Sequence, residues 1–283
     1  MNNYLTIDVE DYFQVSAFEK NIGHSRWSEY DCRVKDNTKK LLDVLEASGV
    51  NATFFVLGWV AQKFPELVKE IHAKGNEIAC HSYYHRLVYN LTPEEFREDT
   101  RLAKDVLEQI IGETVNGYRA PSYSITKKSL WAFDILEELG FQYDSSVFPI
   151  IHDRYGIADS PRFQYKLSGY NLIEYPISTT PFIGYNLPVA GGGYFRLFPY
   201  WFSKRALHAV NRREKKPFMF YIHPWEIDSG QPRVTGAGLV SNFRHYVNID
   251  KTLMRFQRLI NDFEFDTISA SLNKAEYDEY KIN

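Results

Sequence analysis

Apolar and polar residues alternate from Tyr4 to Glu10, which predicts a strand over Tyr4–Asp8. After a polar loop the period lengthens. Leu41, Leu42, Val44 and Leu45 share one face of a helix over residues 37–48, which Gly49 closes. Residues 52–57 are continuously apolar, as in a strand buried on both faces. An amphipathic stretch from Val60 to Ala73 ends at Gly75, and residues 76–80 give a third strand. Thr92-Pro93-Glu94-Glu95 has the form of a capping box with proline at the first helical position, opening a long helix to Ile111. A fourth strand leads to Tyr118, followed by a helix over 127–139 and a strand over 141–144.

The second half is less regular. Residues 150–198 are rich in aromatics, proline and glycine and read as loops with short strands. Helices near 200–211 and 250–262 flank a strand over 218–223, and a last strand over 263–268 precedes a C-terminal helix. Repeated βα units imply a parallel sheet, and this number of them implies closure. The expected fold is α/β, a distorted (β/α) barrel of seven or eight strands in one domain over 1–283. Its core is 4–150 and 215–270, with an irregular insertion at about 150–198. Gly191–Gly193 fits two readings, a cradle for a sugar or a close pass of the chain against the barrel.

Composition narrows the class. Of the 283 residues 44% are hydrophobic and 24% charged, as in a globular protein with a sizeable core. A net charge of -3 provides no basic face for nucleic acid. Aromatic residues, 16% of the chain, suit a glycan cleft and a packed core alike. Cys32 and Cys80 form no framework and read as reduced thiols. No basic and apolar leader opens the chain and no apolar run of 18 residues spans a bilayer. The expected location is cytoplasmic, peripheral attachment to the inner face of the membrane included.

In such barrels the reactive groups sit at the C-terminal ends of strands. Those ends hold Asp8-Val9-Glu10-Asp11, His81-Ser82-Tyr83-Tyr84-His85, Arg119 and His223. His81, His85 and one carboxylate make a catalytic metal set with open positions, suited to a divalent metal, zinc before iron, cobalt or nickel. Residues two apart in a strand face one side, which places Glu10 beside Asp8; a chain that has already turned presents Asp11 instead. A second carboxylate can act as base, and His223 can protonate a leaving amine. Arg119 can keep the base ionised. Ser82 follows His81 where HExxH metalloproteases place glutamate, on a helix; here the preceding residues read as strand. His24, His72, His152 and His208 read as ordinary surface or core residues, and His245 stays open.

These motifs resemble the NodB-homology polysaccharide deacetylases, carbohydrate esterase family four. Thr6-Ile7-Asp8, His81-Ser82-Tyr83-Tyr84-His85, Arg119-Ala120-Pro121-Ser122-Tyr123 and Tyr221-Ile222-His223 follow that family's order. The resemblance implies Asp8 as base, His81 and His85 as metal ligands, Arg119 as holder of the base, and backbone near Tyr123 at the oxyanion. It implies His223 as general acid. The family's Asp-Trp motif is missing after Phe141, leaving Asp144 to orient His223 and Trp225 to supply an apolar wall. Asp8-Val9-Glu10-Asp11-Tyr12-Phe13, Gly191-Gly192-Gly193-Tyr194-Phe195-Arg196, His223-Pro224-Trp225-Glu226 and Phe243-Arg244-His245-Tyr246 resemble the branch encoded with bacterial exopolysaccharide export systems. The implied activity is removal of acetyl groups from N-acetylhexosamine units of a bacterial polysaccharide or its lipid-linked precursor. A C–N hydrolase of small cyclic amides or ureides, and a catalytically silent glycan-binding protein of an export complex, are the alternatives.

Overall fold

A computed structural model of the chain describes residues 1–19, 21–234, 238–272 and 277–282. Twelve strands are present among them: β1 (Asn3–Val9), β2 (Thr53–Val56), β3 (Glu77–Cys80), β4 (Gly117–Tyr118), β5 (Tyr143–Asp144), β6 (Tyr165–Leu167), β7 (Ile173–Glu174), β8 (Thr179–Phe182), β9 (Tyr185–Pro188), β10 (Met219–Ile222), β11 (Phe265–Asp266) and β12 (Glu279–Tyr280). Ten form one curled sheet in the order β10-β1-β2-β3-β4-β5-β7-β6-β12, with β11 beside β1. Pairing is parallel from β10 through β7 and turns antiparallel at β6. The (β/α) fold is therefore a half-barrel in a single domain. It has ten strands rather than seven or eight because the 150–198 stretch contributes β6 and β7, and β12 extends β6.

Helices α1 (Val34–Ser48), α2 (Gly58–Lys63), α3 (Pro65–Ala73), α4 (Pro93–Ile111) and α5 (Ala132–Glu138) connect the first strands. The amphipathic stretch before Gly75 is thus two helices, broken at Phe64-Pro65, because a proline disfavours the helical region for the residue before it. Thr92 and Glu95 form the reciprocal capping box at the start of α4, and Gly49 ends α1 at φ 63°. Beyond β9 come α6 (Gly192–Leu197), α7 (Tyr200–Ala209), α8 (Leu239–Tyr246), α9 (Ile249–Asp262) and the short α10 (Ser269–Leu272). No helix among the described residues is long and apolar enough to cross a membrane.

Alternation along β1 sorts the molecule into two layers. Leu5, Ile7 and Val9 belong to the large apolar core shared with the helices, with Phe54 and Val56 of β2. Tyr4 lies instead in the inner layer, with Phe55, Ala79, Tyr143 and Tyr221. Thr6 and Asp8, in phase with Tyr4, therefore lie on the concave side, and both are buried. A carboxylate on a strand buried on both faces is held there only by partners, and those partners are the site.

Gly191 and Gly192 settle the close-pass reading. The chain bridges to Tyr221 there, and a Cβ on Gly191, at φ 134°, would stand 2.1 Å from the Tyr221 carbonyl oxygen. Cys32 and Cys80 are both free thiols, and burial pushes Cys80 up to about 12.

Candidate active site

Strand ends carry the reactive groups to one cavity of about 140 Å³, lined by Asp8, Glu10, His81, His85, Tyr123 and His223 among others. Asp8 Oδ1 accepts from Arg119 Nη1 at 2.6 Å, both side chains being buried. The remaining donors of Arg119 reach Thr6 Oγ1 at 2.8 Å and Ser145 Oγ at 2.8 Å, and its guanidinium lies 4.0 Å above the Phe55 ring. Such saturation of donors is what permits an arginine in a barrel interior. Asp8 Oδ2 faces His223 Nε2 at 3.7 Å.

The His81–His85 segment leaves β3 in a tight loop. Ser82 and His85 take left-handed φ values of 64° and 54°. Asp99 of α4 accepts the Tyr83 and Tyr84 amides at 2.7 and 3.3 Å, and the Ser82 carbonyl accepts from Gly58 N–H at 2.9 Å. A Cβ on Gly58 would meet the Tyr83 ring at 2.5 Å and the Ala103 backbone at 2.9 Å. Gly58→Ala is therefore expected to cost about 1–3 kcal/mol by overpacking and to displace the histidine loop. Thermal unfolding and metal titration of the variant check both effects.

His81 Nδ1 lies 2.8 Å from the Arg119 carbonyl oxygen, to which it can only donate. Its Nε2 is thereby left as a lone-pair donor, and burial pushes its pKa down to about 4, so the ring is neutral. His85 Nε2 is 2.7 Å from Glu10 Oε2. Yet Glu10 Oε2 and His85 Nδ1 are buried atoms without a hydrogen-bond partner of good geometry. Glu10, His81 and His85 offer ligand atoms all within 4.8 Å of one another. Two imidazoles, one carboxylate and unsatisfied buried lone pairs fit a divalent cation. Burial alone would raise the Glu10 carboxyl, but His85 and His223 hold it well below the usual carboxylate range.

The choice between Glu10 and Asp11 is made by the turn after β1. Glu10 N–H bonds back to the Asp8 carbonyl, and the Glu10 side chain stays on the concave side, where Trp225 Nε1 donates to its Oε1 at 3.1 Å. Asp11 points the other way. Its carboxylate accepts from the amides of Arg33 and Val34 at 2.6 and 2.8 Å, capping the N-terminus of α1, and from Tyr12 N–H at 2.9 Å.

Asp144 does not orient His223. It accepts from Ser146 and shares a hydrogen bond with buried Glu174, whose carboxyl burial and Asp144 push well above its ordinary value. The partner of His223 is Glu226, the last residue of the His223-Pro224-Trp225-Glu226 motif, to which the sequence assigns no role of its own. Glu226 Oε2 lies 2.9 Å from His223 Nδ1 and accepts the His223 amide at 3.0 Å. Arg196 Nε, fully buried, donates to Glu226 Oε1 at 2.7 Å. The signal was available, since His-x-x-Glu is capping-box spacing on a short helical turn.

Burial would lower the His223 pKa, but Glu10, Glu226 and Asp8 outweigh it and push it up to about 9. Burial would raise Glu226, but Arg196 and His223 hold it down to about 2 against an ordinary 4.5. Because the folded value is depressed, its share of stability is complete above 4.5 and is lost as pH falls toward 2. Glu226→Gln is expected to flatten that part of the acid-unfolding curve. Identical acid limbs in variant and wild type would remove the assignment.

Trp225 stacks on His223 at 5.2 Å and on His245 at 4.2 Å, forming the apolar wall. His245 supports it from behind, with Nε2 2.7 Å from Gln231 Oε1. Tyr123 lines the cavity, but its N–H donates to the Ala120 carbonyl at 3.0 Å inside a tight turn, so that amide is not free for an oxyanion.

Residues 23–143 match the family model for polysaccharide deacetylase, and residues 145–273 match a domain of unknown function, DUF3473. The chain carries a polysaccharide deacetylase domain. The deacetylase match takes in His81, His85, Arg119 and Tyr123, whereas His223 and Trp225 fall in the second stretch. The join between the stretches lies inside the sheet, where β5 pairs with β7.

The chain is 35% identical over 96 residues to a peptidoglycan-N-acetylglucosamine deacetylase of Bacillus cereus, 34% of this chain and 35% of that protein. It is 29% identical over 108 residues to chitin deacetylase 1 of Cryptococcus neoformans, 38% of this chain and 22% of that protein. The matches span less than half the length of these curated relatives. A provisionally assigned polysaccharide deacetylase from Mycobacterium smegmatis superposes with TM-score 0.60 and 21% identity over 95% of this chain and 87% of that one. A family 4 carbohydrate esterase from Streptomyces lividans in complex with acetate gives 0.51 and 14% over 98% and 97%. A family 4 pseudoenzyme from Bacillus anthracis gives 0.50 and 14% over 99% and 69%. At these identities the structures share the fold.

Proposed function

We propose that this chain is a metal-dependent hydrolase that removes acetyl groups from N-acetylhexosamine units of a bacterial polysaccharide or its precursor. The observation that carries the reading is the convergence of Asp8, His223 and the Glu10–His81–His85 set on one cavity. A divalent cation held by Glu10, His81 and His85, zinc being the first choice, would supply Lewis-acid polarisation of the carbonyl and acidify a water molecule.

The chain's own groups do the rest. Asp8, aimed by Arg119, accepts the proton of the attacking water. His223 stands across the cavity, charged near neutral pH, and gives its Nε2 proton to the departing nitrogen. Glu226 fixes the opposite ring nitrogen, so the proton is presented toward the substrate. Trp225 and Tyr123 wall the space. A cavity of about 140 Å³ beside these side chains has room for an acetyl group with water. The glycan class follows the relatives, whose names specify peptidoglycan and chitin.

Zinc-loaded protein is expected to release one acetate per new free amine from N-acetylated oligosaccharides. Absence of acetate from every such glycan, with Asp8→Asn behaving like wild type, overturns the proposal. Turnover of an allantoin-like ureide in its place would assign the cyclic-amide class, and tight glycan binding without turnover or metal the silent one.

A further inference from the structure

The two-stranded sheet β8–β9 presents an apolar tip to solvent. Phe182, Ile183 and Tyr185 are 53%, 81% and 67% exposed, and Ile183 takes a left-handed φ of 46° at the turn. Trp201, at the start of α7 and 67% exposed, lines with Phe182 a cleft of about 790 Å³. Four large apolar side chains grouped in water mark a surface that meets a partner.

Charge continues the pattern. Trp201, Arg205, His208 and Arg212 follow one another at intervals of four, three and four, so they share one face of α7 and the helical turn that extends it. Arg205, Arg212 and Arg213 line the same cleft, and among the described residues none of the three has an ion-pair or hydrogen-bond partner. Nearby carboxylates are engaged elsewhere, Glu214 with Arg162 and Asp262 with Lys204. Unneutralised positive charge thus collects at one place in a chain whose net charge is -3.

We infer that this surface docks the protein on an anionic lipid bilayer, the β8–β9 tip entering the acyl boundary and the arginines lying among the headgroups. Apolar side chains at a protruding tip beside cations are the arrangement by which peripheral proteins hold an interface. An acidic glycan would be gripped by flat aromatic faces and polar groups, for which the exposed aliphatic Ile183 has no use. None of these residues lines the active-site cavity, so the inference stands or falls apart from the hydrolase reading.

The test is cosedimentation of the full chain with phosphatidylglycerol-containing vesicles and with pure phosphatidylcholine vesicles. Binding is expected with the anionic vesicles and should weaken as salt rises. The triple variant Phe182→Ser, Ile183→Ser, Tyr185→Ser and the triple variant Arg205→Glu, Arg212→Glu, Arg213→Glu are each expected to lower partition by about tenfold or more. Melting temperature and hydrolysis of a soluble oligosaccharide should not change. In wild type, brominated lipid should quench tryptophan fluorescence, and Trp201→Phe should lose that quenching, so the inference remains testable if a triple variant fails to fold. Wild type that stays off phosphatidylglycerol vesicles, or variants that bind them equally, overturns it. So does a soluble polyanionic glycan that captures the wild type while the serine variant binds it unchanged.

Discussion

Asp8→Asn is expected to lower acetate release by about 10²–10⁴-fold while leaving metal content unchanged. The replacement keeps the shape of the side chain and an oxygen to face Arg119, but an amide cannot take a proton from water. A second effect follows from burial. Arg119 is fully buried and its charge is balanced at 2.6 Å by Asp8. Neutralising the partner of a buried ion pair costs on the order of 3–5 kcal/mol. Thr6, Ser145 and the Phe55 face still hold the guanidinium, which keeps the loss toward the lower bound. Activity and thermal stability should therefore both fall. A variant that melts early yet retains activity within a few fold of wild type would reduce Asp8 to a structural counter-ion.

Glu10→Gln and Asp11→Asn are expected to dissociate metal binding from folding. Glu10 is the carboxylate among the three clustered ligand groups, and its Oε2 is otherwise unsatisfied. Losing its charge should weaken divalent metal binding by at least about 100-fold, since a primary ligand matters more than the outer contacts that cost 10–100-fold. The fold should survive, because Trp225 still finds an acceptor at the same place. Asp11→Asn should leave metal affinity near wild type. It should cost about 0.5–2 kcal/mol through the start of α1, where its carboxylate accepts two amides. Metal titration and denaturant unfolding on both variants give a two-by-two outcome, and weakened metal binding in Asp11→Asn alone would reverse the assignment.

Much of this was legible in the residue order. The βα alternation, the capping box at Thr92, the cap at Gly49 and the strand-end positions of Asp8, His81, Arg119 and His223 all follow from short-range patterns. Periodicity and caps are local, and local physics is what a sequence displays directly. The amphipathic period runs on through Phe64-Pro65, where the chain breaks into two helices, because periodicity does not register the constraint a proline puts on the residue before it. The role of Glu226 is illegible for a different reason: a carboxylate three residues after a histidine gains its role at the site only when Arg196, 30 residues earlier, neutralises its second oxygen.

Alone, the order of residues determined the layered α/β fold, the family resemblance and the two imidazoles. Only the folded chain shows which carboxylate lies beside them. Glu10 and Asp11 are adjacent, similar in chemistry and both buried, and the period of a strand favours Glu10 only if the chain has not turned after Asp8. The bend after Val9 separates them, because two open amides at the head of α1 claim Asp11 while Glu10 keeps the orientation of Asp8. The same holds for the barrel. A count of βα units implies closure, but the 150–198 stretch adds β6 antiparallel to β7, with β12 beyond it, so the parallel run from β10 to β7 ends there without closing on itself. Both outcomes rest on contacts between distant segments, whose energies no local pattern encodes.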